Sequence, residues 1–352
     1  MPDSLAEVVF AIPGDIESPT RGYAYDRRLM DLFPSYGLTA RHVALPASYP
    51  NPSAKDLAET ERLLGQTPHD ARLLIDGTAF GAMPADLIAR LDRRIIALVH
   101  HPLALEASLG DERRATLKAS EKQALALARH IIVTSDVTRR TLITDYGICD
   151  SIITLAEPGT DPAPRATGTG MPMQLLSVGA ITPRKNFDVL ICALTMLDDP
   201  NWRLTIAGAL DRNPQTVAAL RAQINDAGLD SRVTLAGTVV PTTLARFYES
   251  ADLFVLPSHD EGYATVLAEA MASGLAIVCT NAGAAAEIVP DAAAIKVPPA
   301  DAPALARALA TVLGDNKLRR AMRRASWETG RTLPTWNETT RRVAAAIVGI
   351  RT

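Results

Sequence analysis

LLSVGAITPRKNFDVLICAL, residues 175–194, runs from a short apolar strand pattern through a glycine into two basic residues and then a helical pattern. The strand ends at Gly179, and a loop carries Arg184 and Lys185 to the start of the helix. Two cations beside a helix amino terminus make an anion site, because the unpaired backbone N–H groups and the helix dipole add to the side-chain charge. The expected anion is a diphosphate. Taken alone, the pair reads equally well as a solvated surface pair, since basic residues near helix starts are common.

Outward from this stretch, short β-rich apolar runs alternate with longer helical patterns, which is the signature of parallel sheets covered by helices. The fold class is therefore α/β. Strands are expected at EVVFAIPG (7–14), ARHVALP (40–46), ARLLIDG (71–77), RIIALVHH (94–101), HIIVTS (130–135) and SIITLAEPG (151–159). A second series follows at MQLLSVG (173–179), WRLTIAG (202–208, closing on Gly208), RVTLAG (232–237), LFVLPS (253–258), AIVCTN (276–281) and AAAIKV (292–297). Strands that end in glycine, polar residues or loops place their carboxyl ends at a ligand crevice. Between the series, PGTDPAPRATGTGMP (158–172) lacks periodicity and reads as a linker. The expected organisation is a domain over residues 1–168, a second over 169–330, and a tail over 331–352 that could pack on either, a return to the first being one option.

A second stretch, LFVLPSHDEGYATVLAEAMASGLAIVCTNAGAAAEIV (253–289), narrows the reading. Glu261 and Glu269 lie eight apart, Gly262 follows the first, and a helical pattern runs through the second. Gly262 lets backbone amides approach a ligand closely, and residues 263–265 (Tyr263, Ala264, Thr265) would open a helix whose amino end faces it. Two turns in, Glu269 could accept hydrogen bonds from vicinal hydroxyls such as those of a ribose. The plain alternative is an ordinary surface carboxylate.

Together the two stretches resemble family 4 of the retaining glycosyltransferases, which have the GT-B fold: two Rossmann-like domains with parallel sheets facing a central cleft. The residues that carry the likeness are Gly179, Arg184, Lys185, Glu261, Gly262, Tyr263 and Glu269, then Gly274 and the segment from Asn281 to Glu287, so that it covers nearly all of 174–290. The resemblance implies that Arg184 and Lys185 hold the donor diphosphate, that Glu261 contacts the donor sugar, and that Glu269 contacts the ribose. Gly208, Ala264 and Thr265 complete the implied donor site. Many relatives have glycine where Ala264 stands, which constrains the turn more here.

In the first half, IPGDIESPTRGYAYDRRL (12–29) resembles the family's glycine loop and following helix, with Gly14 and Gly22 as the backbone-approach positions. LVHHP (98–102) resembles its strand-His-x-Pro, which makes His100 the match for a residue touching the transferred sugar, with His101 as the second choice. IIVTSDVTRRTL (131–142) offers Ser135 and Thr138 as polar contacts or as helix caps.

The resemblance implies a hexosyltransferase that retains configuration, taking its sugar from a nucleotide diphosphate donor, UDP ahead of GDP, and delivering it to a hydroxyl on a lipid such as diacylglycerol or on a small molecule. No cofactor and no metal are expected, since no Asp-x-Asp pattern occurs and the two cations supply the positive charge. A nucleotide-sugar epimerase and a non-enzymatic sugar-nucleotide binder are the rival readings. A nicotinamide dehydrogenase is disfavoured because no Gly-x-Gly-x-x-Gly follows a strand, and a P-loop phosphotransferase because Gly-x-x-x-x-Gly-Lys-Ser/Thr is missing.

Composition agrees with a two-domain globular enzyme. The 352 residues exceed one ordinary domain, and 47% hydrophobic with 21% charged is typical of globular chains. No apolar run reaches the roughly 18 residues needed to cross a bilayer, and the opening MPDSLAEVVFAIPG lacks a basic start, so a cytoplasmic address is expected. A net charge of −3 gives no basic field for nucleic acid. Residues 1–168 carry 18 basic against 22 acidic side chains, so no polybasic surface is obvious, though the reading leaves peripheral contact with the inner membrane open. Cys149, Cys192 and Cys279 are widely spaced and are expected to be reduced core residues.

Overall fold

The computed structural model describes residues 6–17, 21–106, 109–259, 265–283 and 285–349. The chain forms two compact units, residues 1–159 with 334–352, and residues 160–333.

The first unit is built on six strands, β1 (Ala6–Pro13), β2 (Leu38–Leu45), β3 (Arg72–Asp76), β4 (Ile95–Val99), β5 (His130–Val133) and β6 (Ile153–Leu155). All pair in parallel, in the order β2-β1-β3-β4-β5-β6. The side-chain period of two sorts their apolar runs into two layers. Val9, Ala11, Leu73, Ile75, Ala97 and Val99 enter one core. Val8, Phe10, Ile12, Leu74, Ile96 and Leu98 enter the other. Strands buried on both faces need helices on both, which is why they read as continuous apolar runs.

Part of the second layer is supplied from the far end of the chain. Val343, Ala344 and Ile347 of the helix Trp336–Gly349 join Tyr25, Leu29 and Phe33 in that core. Thr339 Oγ1 donates to the carbonyl of Glu157 at 2.6 Å, and the Trp336 ring packs 5.6 Å from that of Tyr25. Gly159 makes the crossing feasible, because a Cβ there would sit 2.3 Å from the Trp336 nitrogen.

The second unit has β7 (Met173–Val178), β8 (Trp202–Ala207), β9 (Val233–Gly237), β10 (Leu253–Leu256), β11 (Ala276–Thr280) and β12 (Ala294–Val297), in the order β12-β11-β10-β7-β8-β9. The boundary falls before residue 160, ahead of the position 168 expected from composition. The reason is hydrogen bonding along the glycine-rich segment. The Ala166 amide donates to the Ser273 carbonyl at 2.8 Å and the Thr167 amide to Glu249 at 2.9 Å. The buried Asp252 carboxylate accepts from the amides of Thr169, Gly170 and Gln174. What reads as a linker is largely an edge of the second unit.

In each sheet the strand order reverses beside the first strand: between β1 and β3 in the first unit, and between β7 and β10 in the second. Crossovers leave these neighbours in opposite directions, so a crevice opens at their carboxyl ends. The three cysteines are not all core residues: Cys279 is buried, whereas Cys149 is exposed in the turn before β6 and Cys192 is half-buried within the helix Phe187–Thr195, off the stripe that faces the core. Among the described residues no helix is long and apolar enough to cross a membrane.

The segment that follows β4 is pinned from beneath by Glu121, on the helix Asp111–Ala126. Its carboxylate accepts from the Leu103 amide at 3.0 and 3.1 Å and from the Tyr146 hydroxyl at 2.7 Å. Burial pushes this carboxyl up from 4.5 to about 7, against the lowering pull of those donors. The folded state therefore holds this proton more tightly than the unfolded chain. That contribution to stability is complete below pH 4.5 and is lost as pH rises through about 7. Glu121→Gln removes it. Measured by thermal unfolding from pH 4.5 to 8, the variant is expected to gain on the wild type as pH rises; a constant offset would contradict this assignment.

Candidate functional site

At the switch point of the second sheet, β7 ends at Gly179 and β10 runs on to Ser258 and His259. After Gly179 the chain turns through Pro183–Lys185, a single 3-10 turn, and enters the helix Phe187–Thr195. Asn186 joins the two with a left-handed backbone, φ 50°, and its side chain does not cap the helix. The first amides of that helix consequently keep their affinity for an acceptor. Asn186 Nδ2 is itself buried without a hydrogen-bond partner, an orphaned donor at the same corner. The His259 amide donates to the Arg184 carbonyl at 2.8 Å, which ties the turn to the end of β10.

Arg184 is half-buried and Lys185 only 7% exposed. The aliphatic stem of Lys185 lies over Gly179, where an added Cβ would meet Cε at 2.9 Å. Gly179 rests in turn on Gly208: a Cβ at Gly208 would fall 2.0 Å from the Gly179 carbonyl oxygen. The space beside Gly208 is thus taken by backbone, and its role is to let the β7 loop sit down on β8.

Glu269 lies on the helix Thr265–Ala272 and is half-buried. It accepts from the Tyr248 hydroxyl at 2.7 Å, and Tyr248, itself buried, stacks on Phe254 with ring centroids 5.8 Å apart. A solvated surface carboxylate has no such brace. Glu261, Gly262, Tyr263 and Ala264 lie outside the described residues.

The first unit gathers a second constellation at its own switch point. Gly14 has a left-handed backbone, φ 68°, after β1. Gly22, in the first turn of the helix Arg21–Leu32, backs on the His100 ring, where a Cβ would meet Cδ2 at 3.6 Å. His100 follows β4, and its Nε2 lies 3.3 Å from Oδ1 of Asp26. The Tyr25 ring stands edge-on to it at 5.2 Å. Burial pushes the Asp26 carboxyl up from 3.8 to about 6, opposed by its bond to His100. Burial would lower His100, but the hydrogen bond and charge of Asp26, with the charge of Asp76, outweigh it and hold the imidazole above 6.5. His101, next along, is also half-buried.

Atoms of Asp26, Asp76 and His100 lie within 4.8 Å of one another, the one such grouping among the described residues. Asp76 caps the turn that begins at Gly77 by accepting from the Thr78 amide at 2.8 Å, and His100 is turned to Asp26, so the cluster is a hydrogen-bonded one. Ser135 and Thr138 fill the capping role: Ser135 Oγ accepts from the Thr138 amide at 3.1 Å, and both are buried. Neither Asp26 nor Tyr248 belongs to a motif legible in the sequence. For Asp26 the findable signal is an acid on the 22, 26, 29, 33 stripe of an otherwise amphipathic helix.

Comparison with known proteins defines the class first. Sucrose-phosphate synthase from Thermosynechococcus elongatus superposes with a TM-score of 0.78 at 19% identity, covering 96% of this chain and 97% of that one. HepE of Anabaena, solved with UDP-glucose, gives 0.78 at 15% identity over 97% of this chain and all of the other. The fold is GT-B. Residues 163–328 match the family model described as glycosyl transferases group 1, and the chain carries a domain of that family. A D-inositol 3-phosphate glycosyltransferase of Nocardia farcinica is 30% identical over 263 residues, 66% of this chain and 57% of the relative. The chain thus spans little more than half the length of that relative.

The two glycines beneath the cation turn differ in what an added methyl would meet. In Gly208→Ala the added methyl meets backbone, and overpacking of this kind costs about 1–3 kcal/mol. In Gly179→Ala it meets the flexible end of Lys185, which can swing aside. Gly179→Ala is therefore expected to melt closer to the wild type than Gly208→Ala. Equal melting losses in the two, read by differential scanning calorimetry, would contradict this packing.

Proposed function

We propose that the chain is a retaining glycosyltransferase of family 4 that moves a hexose from a nucleotide diphosphate sugar to a hydroxyl acceptor without a metal. The observation that carries this reading is the turn Pro183–Lys185 at the β7–β10 switch point, with Lys185 buried over Gly179 and the open helix start behind it. Buried positive charge, helix amides and the orphaned Asn186 donor converge on one corner, as a diphosphate requires. UDP is the favoured nucleotide and GDP the second, a preference supported by the UDP-glucose bound to HepE.

In the proposed reaction the acceptor oxygen bonds to the anomeric carbon on the face from which the diphosphate leaves, the bond to the diphosphate breaks, the hydroxyl proton passes to a departing diphosphate oxygen, and no enzymic nucleophile takes part. As the sugar becomes cation-like, the diphosphate oxygens gain negative charge. Arg184 and Lys185 oppose that charge at little reorganisation cost, because their turn is already in place. Glu269, braced by Tyr248, accepts from the ribose hydroxyls, while His100 contacts the transferred sugar. The name of the Nocardia relative makes a polyol phosphate the first acceptor to screen, with diacylglycerol-type lipid second. Peripheral membrane contact follows only in the lipid case.

Two measurements test the reading. Ligand that binds only the folded state adds about 2.7 kcal/mol of stability at a hundredfold excess over Kd. UDP or GDP is expected to raise the melting temperature equally with magnesium and with EDTA; no rise with either nucleotide would overturn the donor site. With the stabilising donor, Arg184→Ala and Lys185→Ala are each expected to stay folded and lose about a hundredfold or more in kcat, roughly 2.7 kcal/mol and upward. The double variant should lose less than the sum of the two losses in free energy, since both act on one charge. Near-normal turnover in folded single variants would place leaving-group stabilisation elsewhere.

A further inference from the structure

In the first unit, Asp26 has no surface exposure, and one of its oxygens, Oδ2, is buried without a hydrogen-bond partner. The bond it does make goes to His100, whose side chain is 25% exposed. A buried carboxylate is costly, and this one receives none of the backbone N–H bonds that usually offset the cost. A carboxyl that only filled space would be better replaced by an apolar residue of its size. Its geometry instead matches a carboxylate set behind an imidazole, where it fixes which ring nitrogen carries the proton and how the ring lies. Exposure settles the division of labour: His100 can touch a ligand and Asp26 cannot.

The surroundings of the ring support that role. Gly22 leaves room on one side, Tyr25 stands edge-on, and Thr134 Oγ1 donates to the His100 carbonyl at 3.3 Å, so ring and backbone are both held. The charged groups facing Asp26 from the packed elements are His100 after β4, Asp76 at the end of β3, and Arg27 on its own helix, beside the Tyr25 hydroxyl.

We propose that Asp26 is the positioning residue for His100: its carboxylate accepts the Nε2–H, fixing the tautomer that presents Nδ1 to the transferred sugar. This rests on the role given to His100 above. A neutral imidazole whose lone pair faces a sugar gaining positive charge assists transfer, whereas an imidazolium opposes it. The Asp26 and Asp76 charges keep His100 protonated to higher pH, so activity is expected to rise as that proton leaves. Removing the Asp26 charge moves the acidic limb of the rate profile to lower pH.

Asp26→Asn is isosteric and leaves no cavity, and its melting temperature confirms folding. The His100 ring is first titrated by NMR in both proteins, with no substrate present. The neutral wild-type ring is expected to carry its proton on Nε2, and the ring to titrate at lower pH in Asp26→Asn. An unchanged titration, or a proton on Nδ1, overturns the proposal whatever the activity. Turnover is then followed against pH with the donor that stabilises the protein. Asp26→Asn is expected to lose about 10- to 100-fold in kcat at unchanged UDP affinity, the range known for removing the carboxylate that orients a metal-bound histidine. Its acidic limb should shift downward, and Asp26→Asn with His100→Ala should be no slower than His100→Ala alone. A normal His100→Ala rate would overturn the role of His100 itself, while a slow His100→Ala beside an unaltered Asp26→Asn overturns the positioning role alone.

Discussion

Everything at the second switch point depends on backbone lying against backbone where two glycines meet. Gly208 has no side chain because the carbonyl of Gly179 occupies the place of one, 2.0 Å from where a Cβ would stand. That contact seats the loop after β7 on β8, reinforced by the Gly179 amide donating to Ala207 and the Ile181 amide to Ala209. With the loop seated, Lys185 folds back over Gly179 and its charge is withdrawn from bulk water. A charge held there polarises less solvent and acts more strongly on a phosphate than a lysine extended into water. The helix Phe187–Thr195 adds amide donors without any further side chain.

The two units handle charge in opposite ways. In the second, buried positive charge stands at a helix start. In the first, a buried carboxylate is set behind an imidazole whose edge is open. Each arrangement sits where its sheet's strand order reverses, since only there does the fold leave a crevice at the carboxyl ends of neighbouring strands. The remainder of each sheet is covered on both faces and holds the crevice in shape.

The sheets were legible because parallel strands buried on both faces are continuous apolar runs; VVFAI of β1 and IIALV of β4 could hardly be anything else. Gly179, Arg184 and Lys185 were legible because strand, turn and helix are consecutive in the chain. Asp26 was only half legible: the 22, 26, 29, 33 stripe turns it inward, but nothing nearby in the chain supplies its partner, and only the return of His100 from another strand does so. Tyr248 escaped because its bond to Glu269 spans 21 residues, across β10 from one helix to the next, a spacing that no helical or strand period marks. The segment 160–172 misled because proline and glycine signal irregular backbone, and irregular backbone can be tied as firmly as a strand. Gly168, φ 70°, lies against Asp252 where any Cβ would collide.

In the proposed donor site a nucleotide diphosphate sits on the amides and cations between Gly179 and the helix Phe187–Thr195. Hydrogen exchange read peptide by peptide, with and without UDP, tests where it sits. Slowed exchange is expected at residues 179–190 and around Glu269, with the β9 and β12 edges of the sheet unchanged. Protection confined to those edges, or none at saturating UDP, would contradict that placement.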